Sequence, residues 1–212
     1  MNDSGRSPRV ATIGLTGGIG SGKSTAANCL VDCGAWLVDT DAIARTLTLP
    51  GGTAISALAA EFGAESISAD GALDREAMRR RVFADAGARR RLEAILHPLI
   101  GAEARRQADA SGGRPVVFDV PLLAESSHWR ARVDRVLVID CEESTQLARV
   151  ASRPGWTEDA ARRVLAQQAT RAARRAMADA VIYNDELSVE QFQAELRTLW
   201  TLWRPGAAGS AA

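Results

Sequence analysis

The segment Gly17-Gly18-Ile19-Gly20-Ser21-Gly22-Lys23-Ser24 constrains the fold of this chain more than any other stretch. Its glycines permit a tight turn in which successive backbone N–H groups face one point. The pattern G-x-x-x-x-G-K-[ST] is met at every defined position. Such a turn needs a strand to feed it and a helix to leave it, because the helix N-terminus adds unpaired amides and the positive end of its dipole to an anion site. Both flanks are present. Arg9 to Leu15 is a short, mostly apolar run that reads as a buried strand. Thr25 to Val31 carries apolar residues at helical spacing, and Gly34 supplies a stop signal. Lys23 is the only lysine; every other basic side chain of the 26 is arginine. Codon bias in a GC-rich genome accounts for an arginine excess, yet lysine is retained here. A slim stem with a compact charge reaches between phosphate oxygens where a planar guanidinium fits poorly.

Four further apolar runs read as buried strands: Trp36-Leu37-Val38, Val116-Val117-Phe118, Val136 to Ile139 and Val181-Ile182-Tyr183. None alternates with period two, and helical stretches separate them, so the fold class is α/β with a five-stranded parallel sheet covered by helices on both faces. With the glycine loop, this is the P-loop NTPase/kinase fold. Ligands in such sheets sit beyond the carboxyl ends of the strands, which singles out Thr16, Asp39, Asp41, Asp119 and Asp140. Residues 9–42, 114–143 and 176–204 form the expected nucleotide-binding core. A helical insertion, 43–113, is the expected acceptor-binding lobe, with helix starts near Asp74 and Asp85 and a kink or restart at Pro98. A second helical unit, 144–175, is the expected lid, and 1–8 and 205–212 read as flexible tails.

Net charge is formally zero, which gives no support to a nucleic-acid or membrane partner. No apolar run reaches the length of a membrane span, and the first residues lack the apolar core of a secretory signal. Cys29, Cys33 and Cys141 are odd in number and have no metal-site spacing. They read as small buried hydrophobes in a cytoplasmic protein, a monomer or weak homo-oligomer.

Three groups of residues carry possible chemistry. Asp39-Thr40-Asp41 follows the second strand: Asp41 either accepts a hydroxyl proton during phosphoryl transfer or caps the helix beginning at Ala42. Asp119 ends an apolar strand, as a carboxylate near a Mg²⁺ water shell does, and alternatively holds the loop by a hydrogen bond. The next residue is Val120 rather than a water-activating glutamate, which disfavours hydrolysis as the purpose. Arg149 and Arg153, four apart, either close over a triphosphate or form a solvated basic helix face. Arg162, Arg163, Arg171, Arg174 and Arg175 do not separate from surface on sequence grounds. His97, beside Pro98, reads as a histidine at a helix kink.

Together the residues resemble the dephospho-coenzyme A kinase family from about Val10 to Asn184. The likeness is carried by the Leu15–Ser24 opening, Asp39-x-Asp41-x-Ile43-Ala44-Arg45, His97-Pro98-Leu99-Ile100, Pro121-Leu122-Leu123-x-Glu125, Gln168-Ala169-Thr170-Arg171 and Ala178-Asp179-x-Val181-Ile182-x-Asn184. Tyr183 and Glu186 depart from it; the family commonly has Asp and Gly there. The resemblance implies ATP-dependent phosphorylation of the ribose 3′-hydroxyl of dephospho-coenzyme A, the last step of coenzyme A synthesis, with Mg²⁺. It implies that Asp41 faces the hydroxyl and that Gly18, Ile19, Gly20, Ser21, Gly22, Lys23, Ser24 and Thr25 hold the phosphates. Ser24 and Asp119 would serve the metal, and Arg149, Arg153 and Asn184 the ATP. Thr16, Arg45, His97, Leu122 and Leu123 would receive the acceptor. Shikimate- or gluconate-type kinases also place Asp-x-Asp after the second strand and are the nearest rival. A GTP switch would need an Asn/Thr-Lys-x-Asp segment, which a chain with one lysine, in the loop, does not contain. A DNA-associated ATPase is disfavoured by the neutral charge and Val120.

Overall fold

The structure, a computed structural model, describes residues 11–203; the tail assignments at 1–8 and 205–212, with 9, 10 and 204, lie outside the described residues. Each apolar run forms a strand. In chain order the elements are β1 (Thr12–Gly17), α1 (Lys23–Asp32), β2 (Trp36–Asp39), α2 (Thr40–Leu47), α3 (Ile55–Phe62), a short 3₁₀ turn (Ala64–Ser66), α4 (Arg75–Ala84) and α5 (Ala86–Asp109). There follow β3 (Val116–Asp119), α6 (Ser127–Arg130), β4 (Arg135–Asp140), α7 (Glu143–Ala151), α8 (Glu158–Gln167), α9 (Arg171–Ala176), β5 (Ala180–Tyr183) and α10 (Val189–Trp203). The strands make one five-stranded parallel sheet in the order β2-β3-β1-β4-β5. β1 is central, with Leu15 opposite Asp119 of β3 and Leu137 of β4. Every residue of β3 and all but the first of β4 are buried, which explains why these runs do not alternate.

The packing divides the chain into two units, residues 39–110 and the remainder. In the unit that holds the sheet, Ile13, Leu15, Val117, Leu137 and Ile139 pack with Ala26, Ala27 and Leu30 of α1 and with Phe192, Leu196 and Trp200 of α10. Burying each large side chain of this set contributes about 1.5–3 kcal/mol, so the core fixes α1, and hence the loop before it, on β1. Helices α7, α8 and α9 belong to this same unit.

The second unit contains α2, α3, α4 and α5. Its helix starts are set by carboxylates. Asp74 accepts from the amides of Glu76 at 3.1 Å and Ala77 at 2.9 Å, and Asp85 from Gly87 at 2.6 Å. Asp39 caps α2 by accepting from Ala42 N at 2.8 Å. The expected restart at Pro98 does not occur: α5 runs through it as one helix of 24 residues. A proline there removes one ladder hydrogen bond, and the turns on either side continue. Arg81 and Arg91, members of the two arginine triplets, lie over the Phe62 ring at 5.2 and 5.9 Å, so these guanidiniums pack the unit together. No described helix is long and apolar enough to cross a membrane.

Candidate active site

The loop from Gly17 to Gly22 is shaped from its carbonyl side. Ser21 N donates to Gly18 O at 3.1 Å, closing the turn. Gln146 Nε2 donates to Ile19 O at 2.8 Å, Arg149 Nη1 to Gly20 O at 3.5 Å, and Asn184 Nδ2 to Ser21 O at 2.8 Å. Three successive carbonyls thus accept from three side chains supplied by α7 and the end of β5. Gly22, the N-cap of α1, has φ 102, and no side chain caps the helix and no acidic residue stands in its first turn. The first amides of α1 are therefore left for an anion. At Gly18 the requirement is space: a methyl group built there would collide with Gln146 Nε2 and stand 2.8 Å from Arg174 Nη2.

Lys23 opens α1, and its Nζ forms a close ion pair with Asp119 Oδ1. The register that sets Asp119 opposite Leu15 brings this carboxylate beside the root of the loop. Both side chains are largely buried, 18% and 11% exposed, so the pair is screened less than a surface pair. Ser24 and Thr25 follow in the first turn, with Ser24 exposed.

Beyond β4, Asp140 is 2% exposed and accepts from Arg171 Nε and Nη2, both at 3.0 Å. Arg171 also contacts Glu142, whose other oxygen accepts from Tyr183 Oη at 2.7 Å. These hydrogen bonds hold the Glu142 carboxyl below its usual range. They push the Tyr183 phenol up to about 12, chiefly through its bond to Glu142. Tyr183, a departure from the family pattern, is thus tied into an ionic cluster. A cavity of about 300 Å³ lies against α7, α8 and α9, with Leu147, Leu165, Gln168, Arg162, Arg171 and Arg174 in its wall.

Arg149 and Arg153 do not sit on one helix. Helix α7 ends at Ala151 and Ser152 caps it, so Arg153 lies past the helix and does not project beside Arg149. The cause is Pro154, which disfavours helical backbone at the residue before it, followed by Gly155 at φ 79. Arg153 is exposed, whereas Arg149 is half-buried against the loop.

The acceptor-side residues divide. Thr16 is fully buried and its hydroxyl donates to Pro121 O at 3.2 Å, so it ties β1 to the following segment instead of offering a contact. Leu123 is likewise fully buried, a core residue, while its neighbour Leu122 is 47% exposed. In the second unit, Asp41 stands exposed in the first turn of α2. The capping role belongs to Asp39, which leaves the Asp41 carboxylate without that duty. Arg45 Nη2 lies 3.7 Å from Asp39 Oδ2, and His97 is exposed on α5. This unit has its own cavity of about 260 Å³, walled by Leu73, Met78, Val82, Leu92, Arg75 and Arg79 among others.

Sequence reasoning missed Gln146 as a loop residue and left Gln168 without a role. Gln168 Oε1 accepts from Ile19 N at 3.0 Å, so Ile19 is held at both its amide and its carbonyl. Gln146 did leave a signal, a polar side chain four residues before Val150 on the buried stripe of α7. Asn184 meets the glycine loop at the Ser21 carbonyl.

A central strand, an uncapped glycine loop and an ion pair between the lysine that opens α1 and the aspartate that ends β3 define a P-loop kinase. Shikimate kinase from Acinetobacter baumannii shares the fold, with TM-score 0.50, 18% identity, and 91% of this chain and 92% of that chain covered. The protein TT1252 from Thermus thermophilus matches at TM-score 0.82 and 28% identity over 93% of this chain and 100% of its own. Dephospho-CoA kinase from Burkholderia pseudomallei is 54% identical over 188 residues, 89% of this chain and 93% of its own. The dephospho-CoA kinase family model matches residues 11–190. The chain belongs to the dephospho-CoA kinase family.

Proposed function

We propose that this chain transfers the γ-phosphoryl group of ATP to the ribose 3′-hydroxyl of dephospho-coenzyme A, giving coenzyme A and ADP, with Asp41 accepting the hydroxyl proton. The observation that carries this reading is the loop at 17–24, whose carbonyls are engaged from outside while the first amides of α1 are uncapped. In the transfer the acceptor oxygen bonds to the γ-phosphorus and the bond to the β–γ bridging oxygen breaks. The electron pair leaves with ADP. Lys23 neutralises charge on the β- and γ-phosphates, and the loop amides hold them in line, which is most of what phosphoryl transfer requires of a protein.

Mg²⁺ fits the residues present. Among the described residues no cluster of three His, Cys, Asp or Glu side chains gathers to form a protein cage. One hydroxyl and one carboxylate, Ser24 and Asp119, suit an ion that keeps waters and phosphate oxygens as its other ligands. When bound, Mg²⁺ held by Ser24 and Asp119 would offset the negative charge of the phosphates. The second unit's cavity, with leucines, Met78 and two arginines in its wall, supports an acceptor with both a long arm and phosphate groups. Three free cysteines, two of them buried, support a reducing cytoplasm as the working compartment.

A coupled assay with MgATP and an acceptor panel tests the reading. Dephospho-coenzyme A should be phosphorylated and shikimate and gluconate left untouched. Asp41→Asn should lower kcat by about 10²–10⁴-fold, the range for losing a positioned proton acceptor, with ATP affinity unchanged. Normal kcat with weakened ATP binding in that variant would assign Asp41 to structure or metal instead.

A further inference from the structure

The arginines that sequence could not sort are sorted by their counter-charges. Asp140 offers one carboxylate, and Arg171 takes both of its oxygens at 3.0 Å. Arg175 stands 3.7 Å away with its side chain more than half exposed. Arg162 pairs with Glu158 one turn back on α8. Arg174 differs from all of these. It is 3% exposed, its Nη1 donates to Ala169 O at 2.5 Å, and its Nε has no partner among the described residues. Among those residues it makes no ion pair. A buried guanidinium in contact with no carboxylate is an expensive arrangement; burial lowers its pKa, and Asp140, Glu125 and Glu143 offset this only in part, through space.

Its direction supplies the reason. Arg174 Nη2 would stand 2.8 Å from a methyl group on Gly18, so the guanidinium lies against the backbone of the phosphate loop itself. The same guanidinium forms part of the wall of the cavity against α7, α8 and α9. Gly18 keeps that approach bare, since any side chain would displace Arg174 or Gln146.

We propose that Arg174 is a further catalytic residue, binding the equatorial oxygens of the phosphoryl group in transfer from beneath the loop. The proposal rests on the loop being the ATP site. As the acceptor oxygen bonds to phosphorus, the bridging oxygen departs with its electron pair and the hydroxyl proton passes to Asp41. Negative charge is then spread over three oxygens, and a preorganised, water-excluded guanidinium stabilises that distribution. Arginines in this role are worth about 10³–10⁵ in kcat. Arg149, on the carbonyl of Gly20, remains free to serve the nucleotide from the other helix.

The test compares wild type, Arg174→Met and Arg174→Lys. Each is titrated calorimetrically with magnesium ADP and with the β,γ-methylene analogue of ATP, and kcat is measured in the coupled assay. Arg174→Met should lower the ratio of triphosphate to diphosphate affinity about tenfold and kcat about 10³-fold, with ADP affinity unchanged. Arg174→Lys, which keeps the charge, should regain a large part of both. An unchanged affinity ratio, or an equal loss for both nucleotides, would overturn the proposal and make Arg174 a structural residue. Should thermal melting find the Met variant unfolded, Arg174→Gln replaces it, because it keeps a donor for the Ala169 carbonyl. The titrations contain no acceptor. A wrong acceptor assignment would therefore appear as absent turnover in wild type while the affinity ratio still reports on Arg174.

Discussion

Asn184→Ala probes whether the phosphate loop is held in shape from its carbonyl side. Asn184 is 6% exposed and donates from Nδ2 to Ser21 O at 2.8 Å. Its backbone amide donates to Asp140 O at 2.7 Å, which alanine retains, so the substitution deletes one side-chain bond without releasing the main chain. Losing a buried hydrogen bond costs about 0.5–1.5 kcal/mol, and leaving the carbonyl unpaired raises the cost toward about 3 kcal/mol. A middle value of about 2 kcal/mol lowers Tm by about 4–8 °C for a chain of this length. The functional effect is separate from the thermal one. Gly22, already at φ 102, has no Cβ to resist rotation of the Ser21–Gly22 peptide once the carbonyl is released. Rotation would turn an oxygen toward the phosphates in place of an N–H. ATP and ADP affinity should therefore both fall, each by about tenfold, the equivalent of one charge-assisted hydrogen bond of about 1.4 kcal/mol. Thermal melting and calorimetric titration read the two effects independently. A lower Tm with wild-type affinity for both nucleotides would refute the loop-shaping argument and leave Asn184 as a core hydrogen bond only.

Two other perturbations test local chemistry. Glu186 is the one non-glycine residue with positive φ, 59°, among the described residues. Glu186→Gly removes a left-handed penalty of about 1–2 kcal/mol against an entropic cost of about 0.5–1 kcal/mol, so Tm should rise slightly; a fall would show that the glutamate side chain makes a stabilising contact. On α5, Glu103 accepts from Arg106 Nε at 2.8 Å and Nη2 at 2.7 Å and from Gln107 Nε2 at 2.8 Å, which lowers its carboxyl to about 2. A depressed folded-state pKa stabilises above the ordinary value of 4.5 and loses that effect as pH falls toward 2. Glu103→Gln should thus cost at most about 1 kcal/mol at pH 7, given solvent screening. Urea denaturation should find that difference shrinking between pH 4.5 and 2, and a difference independent of pH would remove the charge from the explanation.

The architecture was legible because two periodicities do not overlap. Short apolar runs such as Val136–Ile139 lack alternation only when both sheet faces are covered, and Asp74 and Asp85 cap helices by local hydrogen bonds that depend on three or four neighbouring residues. Local rules also explain the error at Arg153, where a proline one residue ahead outweighed helical spacing. What stayed hidden depends on distance along the chain. Gln146 and Gln168 hold Ile19 across 127 and 149 residues, and neither has a neighbour that announces the loop. Burial separated Leu123 from Leu122 and Thr16 from a surface role, and a single strand-end position does not reveal which side chain turns inward.

The same limit governs the two aspartates that end β3 and β4. Each follows an apolar run on a strand next to β1, so their local signatures match. Asp140 meets the two-pronged fork of Arg171, with two bonds of 3.0 Å and a carboxylate 1% exposed. That pairing is planar, bidentate and costly to break, and it fixes α9 to the sheet. Asp119 meets Lys23, a point charge on four methylenes with no planar fork to lock the pairing, so on the proposed function Lys23 would be able to swing toward a phosphate. The pairing at the end of β3 is therefore the easier of the two to exchange, and the one at the end of β4 the harder. The difference lies in which cation the fold delivers to each strand end, not in the aspartates themselves, and a chain with only one lysine has placed it against Asp119, at the root of the glycine loop.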